Sequence, residues 1–210
     1  MALRNHSLDD KITAAAREAF LTKGYTGASL RKIAEKAGVT VGAIQTRYQS
    51  KNELFACLLK PFLDEIDALF QSARAEYYSG ADADFLQGIK ASMQHESAAI
   101  LHLIFSHYEE AVLLLCRSAG SSLEHSFDGI VQRKIEESIA FFRKKGLGGM
   151  DERLLGLLIS AQFDSYRRMV IGCPDSKTAE KYMKSLMTYH FGGWTAFFNS
   201  VNSFREEMES

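Results

Sequence analysis

A short stretch between Ser29 and Leu54 concentrates side chains that can bind nucleic acid. Lys51 is a cation that can bind a phosphate at the start of a helix, and Gln45 carries an amide that can pair with adenine through two hydrogen bonds. Ser29 and Thr40 offer hydroxyl and backbone amide groups to phosphates. Nine residues are therefore predicted to contact DNA, with Arg47 expected on phosphate: Ser29, Arg31, Thr40, Val41, Gly42, Ala43, Gln45, Arg47 and Lys51.

The apolar positions of the same stretch predict the two helices that must hold these side chains. The first helix follows Ser29 and has four apolar residues at helical spacing: Leu30, Ile33, Ala34 and Ala37. Gly38 ends that helix, and Thr40 begins a second short helix. Two helices joined by a short turn that contains glycine form a helix-turn-helix. An ordinary helical hairpin shares this spacing, so the pattern alone leaves both interpretations open.

The order of residues resembles the DNA-binding domain of the tetracycline-repressor (TetR) family of bacterial transcription regulators. The shared pattern runs from about residue 8 to residue 56 and comprises Phe20, Gly24, Tyr25, Ser29, Ile33, Ala34, Ala37, Gly38, Val39, Thr40, Gly42, Tyr48, Lys51 and Leu54. The resemblance implies DNA binding by a three-helix domain. Gln45 stands where the family usually has tyrosine, and Arg47 where histidine or tyrosine is common. Both are DNA-contact positions, so these departures concern the operator sequence.

Charge is unevenly distributed along the chain, although the formal net charge is only −1. Residues 1 to 54 contain nine Lys and Arg against five Asp and Glu, whereas residues 55 to 210 contain 16 against 21. The basic end is the end that carries the predicted helix-turn-helix. This distribution favours attraction of phosphates to one part of the chain and a different task for the rest.

Composition predicts an all-α protein. Apolar residues make up 46% of the chain, there are only two prolines, and no long alternation of apolar and polar residues indicates a sheet. We predict a helix-turn-helix DNA-binding domain at residues 1–50 and a helical ligand-binding and dimerisation domain at residues 51–210. The second domain should begin with a helix from Lys51 to about Tyr78, and the helical stretch that follows should break near Glu96 to Ala99.

Cysteine usage and the N-terminus favour a cytoplasmic protein. The three cysteines are far apart and form no C-x-x-C pair, so neither a disulfide framework nor a zinc knuckle is predicted. The first residues lack the apolar segment of a signal peptide. The longest uncharged run, 185–204, is only about half apolar and is expected to be a packed helix.

Metal and enzyme chemistry are weakly supported. Di-iron bundles use Glu-x-x-His pairs, and no Asp or Glu in this chain has a histidine three residues downstream. His107 and Glu110 show the reversed spacing, which chance alone can produce. No G-x-S-x-G elbow or glycine-rich phosphate loop is present. We expect no cofactor, no metal and no enzyme activity.

The resemblance implies a ligand cavity in the second domain, and the residues there suggest what lines it. Apolar walls with a few polar tips are typical of a pocket for a mid-sized organic molecule. The candidate ligand contacts, with His102 and Tyr166 ranked first, are His102, His107, Tyr108, Phe163 and Tyr166. Packed or solvent-edge side chains are the ordinary alternative for the histidines.

The combined interpretation is a homodimeric repressor that a small organic effector releases from a palindromic operator. Its last two helices are expected to form the dimer interface, as the resemblance implies. The predicted apolar stripes comprise Leu154, Leu158, Ala161 and Ser165 on one helix, and Leu186, Tyr189, Gly193, Trp194 and Phe197 on the other. The alternatives are a helical-bundle enzyme and a DNA-binding or adaptor protein without a ligand. The sequence does not identify the effector, the operator or the regulated genes, and it does not distinguish a repressor from an activator.

Overall fold

The computed structural model describes residues 6–79, 85–144, 151–173 and 175–209, and in these residues it contains helices and no strand. The first four helices are α1 (His6–Gly27), α2 (Leu30–Ala37), α3 (Val41–Gln45) and α4 (Lys51–Ser79). The remaining five are α5 (Phe85–Ser106), α6 (Tyr108–Cys116), α7 (Ser126–Lys144), α8 (Glu152–Gly172) and α9 (Ser176–Glu209). The predicted all-α fold class is confirmed.

The chain divides into two compact units that do not follow the sequence order. The first unit comprises residues 1–64 and 107–127, and the second comprises residues 65–106 and 128–210. Helix α4 therefore begins in the first unit and ends in the second, and α6 belongs with the N-terminal helices. The functional boundary at residue 50 stays a prediction, because compactness does not decide which residues bind DNA.

The first unit is built around an aromatic cluster between α1 and α4. Phe20 and Phe55 are fully buried, with ring centroids 4.9 Å apart, and Tyr25 packs against Phe55 at 5.3 Å. Gly24, between Phe20 and Tyr25, has φ 69°, a left-handed conformation that a side chain would disfavour. This turn directs the chain after α1 toward α2. Helix α1 packs against both α2 and α6.

The second unit buries its apolar side chains between α5, α7, α8 and α9. Helix α9 packs against both α5 and α8. The inward face of α8 recurs at helical spacing, as expected for an amphipathic helix. Its buried residues are Leu155, Ile159, Phe163, Tyr166, Met169 and Val170. Asp151 caps the start of α8 by accepting hydrogen bonds from the backbone amides of Arg153 and Leu154.

The predicted break near Glu96 to Ala99 is wrong: the helix continues through these residues and breaks at His107. His107 has φ −124° and ψ 45°, outside the helical region, and α6 starts at the next residue. Glu96 is buried within α5, where it forms an ion pair with Lys134 of α7. That tertiary contact stabilises the helix at the position where the sequence analysis predicted a break.

No single helix in the described part of the chain is long and apolar enough to cross a membrane. The segments Ala98–Ser106 and Tyr108–Cys116 reach that length only when they are added together across the break at His107.

Candidate DNA-binding surface and body site

The turn between α2 and α3 has the geometry of a helix-turn-helix. Gly38 ends α2 with φ 68° and ψ 33°, and the Val39 amide donates to the Ala34 carbonyl at 2.9 Å. The Thr40 hydroxyl caps α3 by accepting from the Ala43 amide at 3.1 Å. Ile44 is fully buried, so it anchors the inner side of α3. The opposite side of this short helix is left to solvent.

The predicted contact residues differ in their exposure. The exposed ones are Ser29, Arg31, Thr40, Gly42 and Gln45, while Val41, Ala43, Arg47 and Lys51 are half-buried. Ser29 occupies the N-cap position of α2, although its hydroxyl makes no capping hydrogen bond. Gln45 at the end of α3 therefore presents the amide that the sequence analysis selected as a base reader.

Arg47 is held by an ion pair within the first unit. Its Nε donates to the Asp9 carboxylate at 2.7 Å, and one terminal nitrogen donates to the Ala43 carbonyl at 3.2 Å. The Arg47 side chain is only 19% exposed. A guanidinium has five N–H donors, so Arg47 can both tie α3 to α1 and bind a phosphate.

Lys51 has an internal role that the sequence analysis did not anticipate. Its ammonium donates to the backbone carbonyls of Tyr25 at 2.8 Å and Ala28 at 3.1 Å. It also lies over the Tyr25 ring, 4.3 Å from the centroid. These contacts connect the start of α4 to the chain between α1 and α2. The phosphate role of Lys51 stays a prediction, and only one of its three donors remains for it.

Thr46 is an exposed residue next to Gln45 that the sequence analysis omitted from the contact surface. Its hydroxyl donates to the Gly42 carbonyl at 2.8 Å. The sequence could have indicated its exposure, because Thr46 lies one helical turn after Gly42, on the side of α3 opposite the buried Ile44.

Comparison with known proteins agrees with this geometry. Residues 12–58 match the family described as bacterial regulatory proteins, tetR family. This segment belongs to the tetR family. The matched segment begins in α1 and ends in α4, so it contains the whole helix-turn-helix.

Solved structures of bacterial regulatory proteins share the fold over most of the chain. FadR from Bacillus halodurans, a fatty acid degradation regulator, is 17% identical with a TM-score of 0.59, covering 91% of this chain and 98% of its own. FadR from Bacillus subtilis, solved in complex with stearoyl-CoA, is 17% identical with a TM-score of 0.59. The match covers 88% of this chain and 98% of that FadR chain. NalD from Pseudomonas aeruginosa, the secondary repressor of the MexAB-OprM multidrug efflux pump, is 22% identical with a TM-score of 0.56. The match covers 88% of this chain and 95% of the NalD chain.

The five predicted ligand contacts are divided between the two units. His107 and Tyr108 lie in the first unit, whereas His102, Phe163 and Tyr166 lie in the second. Phe163 and Tyr166 are buried. His102 is exposed, so it does not provide the polar tip on a buried wall for which it was ranked first. Its neighbour Leu103 faces inward instead.

Polar side chains that the sequence analysis missed surround Tyr166. The Tyr166 hydroxyl accepts from Gln162 Nε2 at 3.0 Å, and Gln162 Oε1 accepts from the Trp194 indole at 2.5 Å. Ser165 and His190 share a hydrogen bond of 2.7 Å, and desolvation lowers the pKa of His190. Gln162 and Tyr166 are four residues apart on α8, as are His190 and Trp194 on α9. This i,i+4 spacing was the available signal. We call these five residues the body cluster.

A buried ion pair lies near the body cluster. Glu96 on α5 and Lys134 on α7 are 8% and 15% exposed. Burial, with a smaller contribution from the Glu96 charge, raises the pKa of the Tyr166 hydroxyl to about 12. Tyr166 is therefore a neutral hydrogen-bonding group at all physiological pH values.

Acidic, histidine and cysteine side chains do not gather into a metal site in the described ranges, where no group of three or more is close enough to hold an ion. Glu110, the partner suggested for His107 by spacing, instead forms an ion pair with Arg17 of α1.

Proposed function

We propose that this regulator is a repressor that binds a palindromic operator as a homodimer and is released by a small organic effector. The observation that carries the proposal is the exposed side of α3 with Gln45, presented by a tetR-family helix-turn-helix at the basic end of the chain. Related folds occur in NalD, which is a repressor, and in FadR in complex with stearoyl-CoA. The proposed activity is binding in the cytoplasm, with no catalytic step.

We assign the DNA-binding function to residues 1–50 and the ligand and dimer functions to residues 51–210. The first assignment rests on the helix-turn-helix geometry and on the local excess of Lys and Arg. The second rests on the buried polar groups of the second unit and on the apolar surface described below. Helix α6 lies within residues 51–210, but it packs with the N-terminal helices in the first unit.

Two substitutions at the DNA surface should have different effects. Selection from a random DNA pool should enrich a palindrome with two half-sites. Gln45→Ala should relax preference at one base pair per half-site, because a bidentate amide contact to adenine contributes about 1–3 kcal/mol of discrimination. Lys51→Ala should weaken binding to all sequences about equally and reduce the salt slope by roughly one. Fluorescence anisotropy at several salt concentrations measures both.

The structure adds a control for Lys51. Because Lys51 also binds two backbone carbonyls, its replacement should lower Tm as well as DNA affinity, whereas Gln45→Ala should leave Tm unchanged. A Lys51→Ala variant with an unaltered salt slope would remove the phosphate role and leave only the internal one. Equal loss of affinity for every base after Gln45→Ala would contradict base reading.

A second copy of the chain is the proposed partner of α8 and α9. Among the side chains that the structure describes, the large apolar ones that remain most exposed all lie on these helices: Leu154, Leu157, Ile171, Tyr182 and Tyr189. Leu157 and Tyr189 are 68% and 74% exposed. Trp194, which the sequence analysis assigned to the interface, is only 8% exposed and bonds to Gln162. The proposed interface therefore uses a different side of α9 from the one that carries Trp194.

Light scattering should give twice the chain mass of 23.5 kDa at micromolar concentration. Leu157→Arg should shift the mass toward that of one chain, because a buried unpaired cation strongly disfavours an interface. Lys144→Ala, a change at an exposed residue of α7, should leave the mass unchanged. A single-chain mass for the unmodified protein would rule out the dimer.

A further inference from the structure

We propose that the body cluster binds an uncharged, largely apolar effector whose carbonyl oxygen accepts a hydrogen bond from the Tyr166 hydroxyl. The inference rests on the proposed function, and it adds the chemical class of the effector and the residue that selects it.

The first observation is an unused donor. Tyr166 is 4% exposed, and its hydroxyl oxygen accepts from Gln162. Within the part of the chain that the structure describes, its own O–H has no acceptor. A buried donor without an acceptor is destabilising, and buried hydroxyls are normally paired. An acceptor supplied by a bound molecule would satisfy it.

The orientation of the Gln162 amide fixes Tyr166 as the donor toward a ligand. An indole N–H can only donate, so Trp194 requires the Gln162 oxygen on its side. The Gln162 nitrogen must then face the Tyr166 hydroxyl. Exchanging the two amide atoms would bring two donors together at Trp194. Gln162 therefore cannot serve as the acceptor for Tyr166.

Thr195 provides a second, independent sign of an unsatisfied interior. Its hydroxyl oxygen is buried and has no hydrogen-bond partner among the described residues. Thr195 follows Trp194 on α9 and lies one turn from Phe191 and Phe198, of which Phe198 is buried. A second buried polar group without a hydrogen bond thus occurs on α9, at the residue that follows Trp194 of the body cluster.

The nearby charges select against an anionic ligand. Glu96 is already paired with Lys134, so this buried pair has no net charge to offer. A carboxylate or phosphate placed at the Tyr166 hydroxyl could not use the Lys134 ammonium as its counter-ion, and a buried anion without a counter-ion is costly. A ketone, ester, amide or lactone oxygen accepts the same hydrogen bond without that cost.

Trp194 is the only tryptophan of the chain, so its fluorescence reports ligand binding at the body cluster. The probes are methyl ketones and lactones of about six to twelve carbon atoms, a size suited to a protein pocket. Each is compared with the carboxylate and the hydrocarbon of the same skeleton. At least one carbonyl compound should change Trp194 fluorescence saturably and bind about tenfold better than its carboxylate.

Tyr166→Phe should weaken that binding about five- to tenfold, which corresponds to one hydrogen bond. Thr22→Val is the control, because it removes an exposed hydroxyl on α1 in the first unit, and it should bind as the unmodified protein does. If Tyr166→Phe does not fold, the infrared carbonyl stretch of a ¹³C-labelled ketone bound to the unmodified protein replaces it. A hydrogen bond moves that stretch to lower frequency.

Three results would overturn the inference: no carbonyl compound binding better than its carboxylate and hydrocarbon, equal affinity in Tyr166→Phe, or an unshifted carbonyl stretch. These measurements contain no DNA. Failure here together with intact operator binding would reject the ligand class and keep the repressor. Carbonyl binding that depends on Tyr166, in a protein that selects no DNA, would reject the repressor and keep the site.

Discussion

Replacing Lys134 with methionine should lower Tm by on the order of 10 °C. The substitution keeps most of the apolar stem and removes the charge that pairs with Glu96, whose side chain is only 8% exposed. Removing one partner of a buried ion pair costs about 3–5 kcal/mol, because the other charge is left without compensation. In a chain of this size each kcal/mol lowers Tm by about 2–4 °C. Calorimetry or circular dichroism measures the shift.

The same substitution at an exposed pair provides the control. Lys60 donates to the Asp64 carboxylate at 2.8 and 2.9 Å, but the two side chains are 69% and 59% exposed. Lys60→Met should leave Tm unchanged, since solvent screens such pairs. The double variant Glu96→Leu/Lys134→Met should recover most of the lost stability. Equal shifts for Lys60→Met and Lys134→Met would show that burial of the second pair is not what matters.

The helix-turn-helix was predictable because its determinants are local. The i, i+3, i+4 spacing places Ile33 and Ala34 on one buried face, and both are buried in the structure. Gly38 has the left-handed backbone that its position in the pattern requires. Thr40 accepts the capping hydrogen bond from a residue only three positions away. Each of these interactions depends on neighbours in the sequence.

The internal roles of charged residues were not predictable, because their partners are distant in sequence. Lys51 binds the carbonyls of Tyr25 and Ala28, which are 26 and 23 residues away. Lys134 and Glu96 are separated by 38 residues. A charged side chain at a helix start or within a helix carries no local mark of such a partner. The sequence therefore indicated DNA phosphate for Lys51 and a helix break near Glu96 to Ala99.

The candidate ligand contacts show a related limit. Helix α8 is amphipathic, so the position of its polar residues indicates which of its faces is buried. The predicted contacts Phe163 and Tyr166 lie on that buried face. The α5 segment around His102 is apolar on nearly every side, so its periodicity does not indicate which face turns inward. The structure turns Leu103 inward and leaves His102 exposed. An apolar segment without a polar face cannot be oriented from its sequence.

The second large effect concerns the response to an effector, which should depend on the ion pair between Arg17 and Glu110. Helix α5 belongs to the second unit, and after the break at His107 the chain continues into α6, which belongs to the first unit. Glu110 on α6 pairs with Arg17 on α1, and its side chain is only 15% exposed. A change in α5 on ligand binding would therefore be passed along the chain to α1.

Further contacts connect the segment after α6 to the same helices. The Tyr25 amide donates to the Arg117 carbonyl at 2.8 Å. Asn52 and Ser122 exchange two hydrogen bonds of 2.8 Å, which links the segment to the start of α4. Helix α4 itself also runs from the first unit into the second. The chain thus crosses between the two units within α4, between α5 and α6, and at the start of α7. The Arg17 pair belongs to the route through α6.

For the unmodified protein, a compound that raises Tm by binding the body should lower operator affinity about 30- to 150-fold, equivalent to roughly 2–3 kcal/mol of coupling. In Arg17→Ala and in Glu110→Gln the response should fall to about fivefold or less, with unchanged affinity for the compound. The two variants change the charge of the first unit in opposite directions. A shared loss of response therefore reflects coupling and not electrostatic attraction to DNA.

Glu18→Ala is the control for this experiment, because Glu18 pairs with Lys36 of α2 and both side chains are exposed. Its response should match that of the unmodified protein. Operator affinity is measured by fluorescence anisotropy with and without saturating compound. A full response in Arg17→Ala would exclude the α6 route and leave α4 or α7 as the connection, since an effector can act only through an element whose two states it binds differently. A compound that saturates the unmodified protein without changing operator affinity would show that ligand binding and DNA binding are independent.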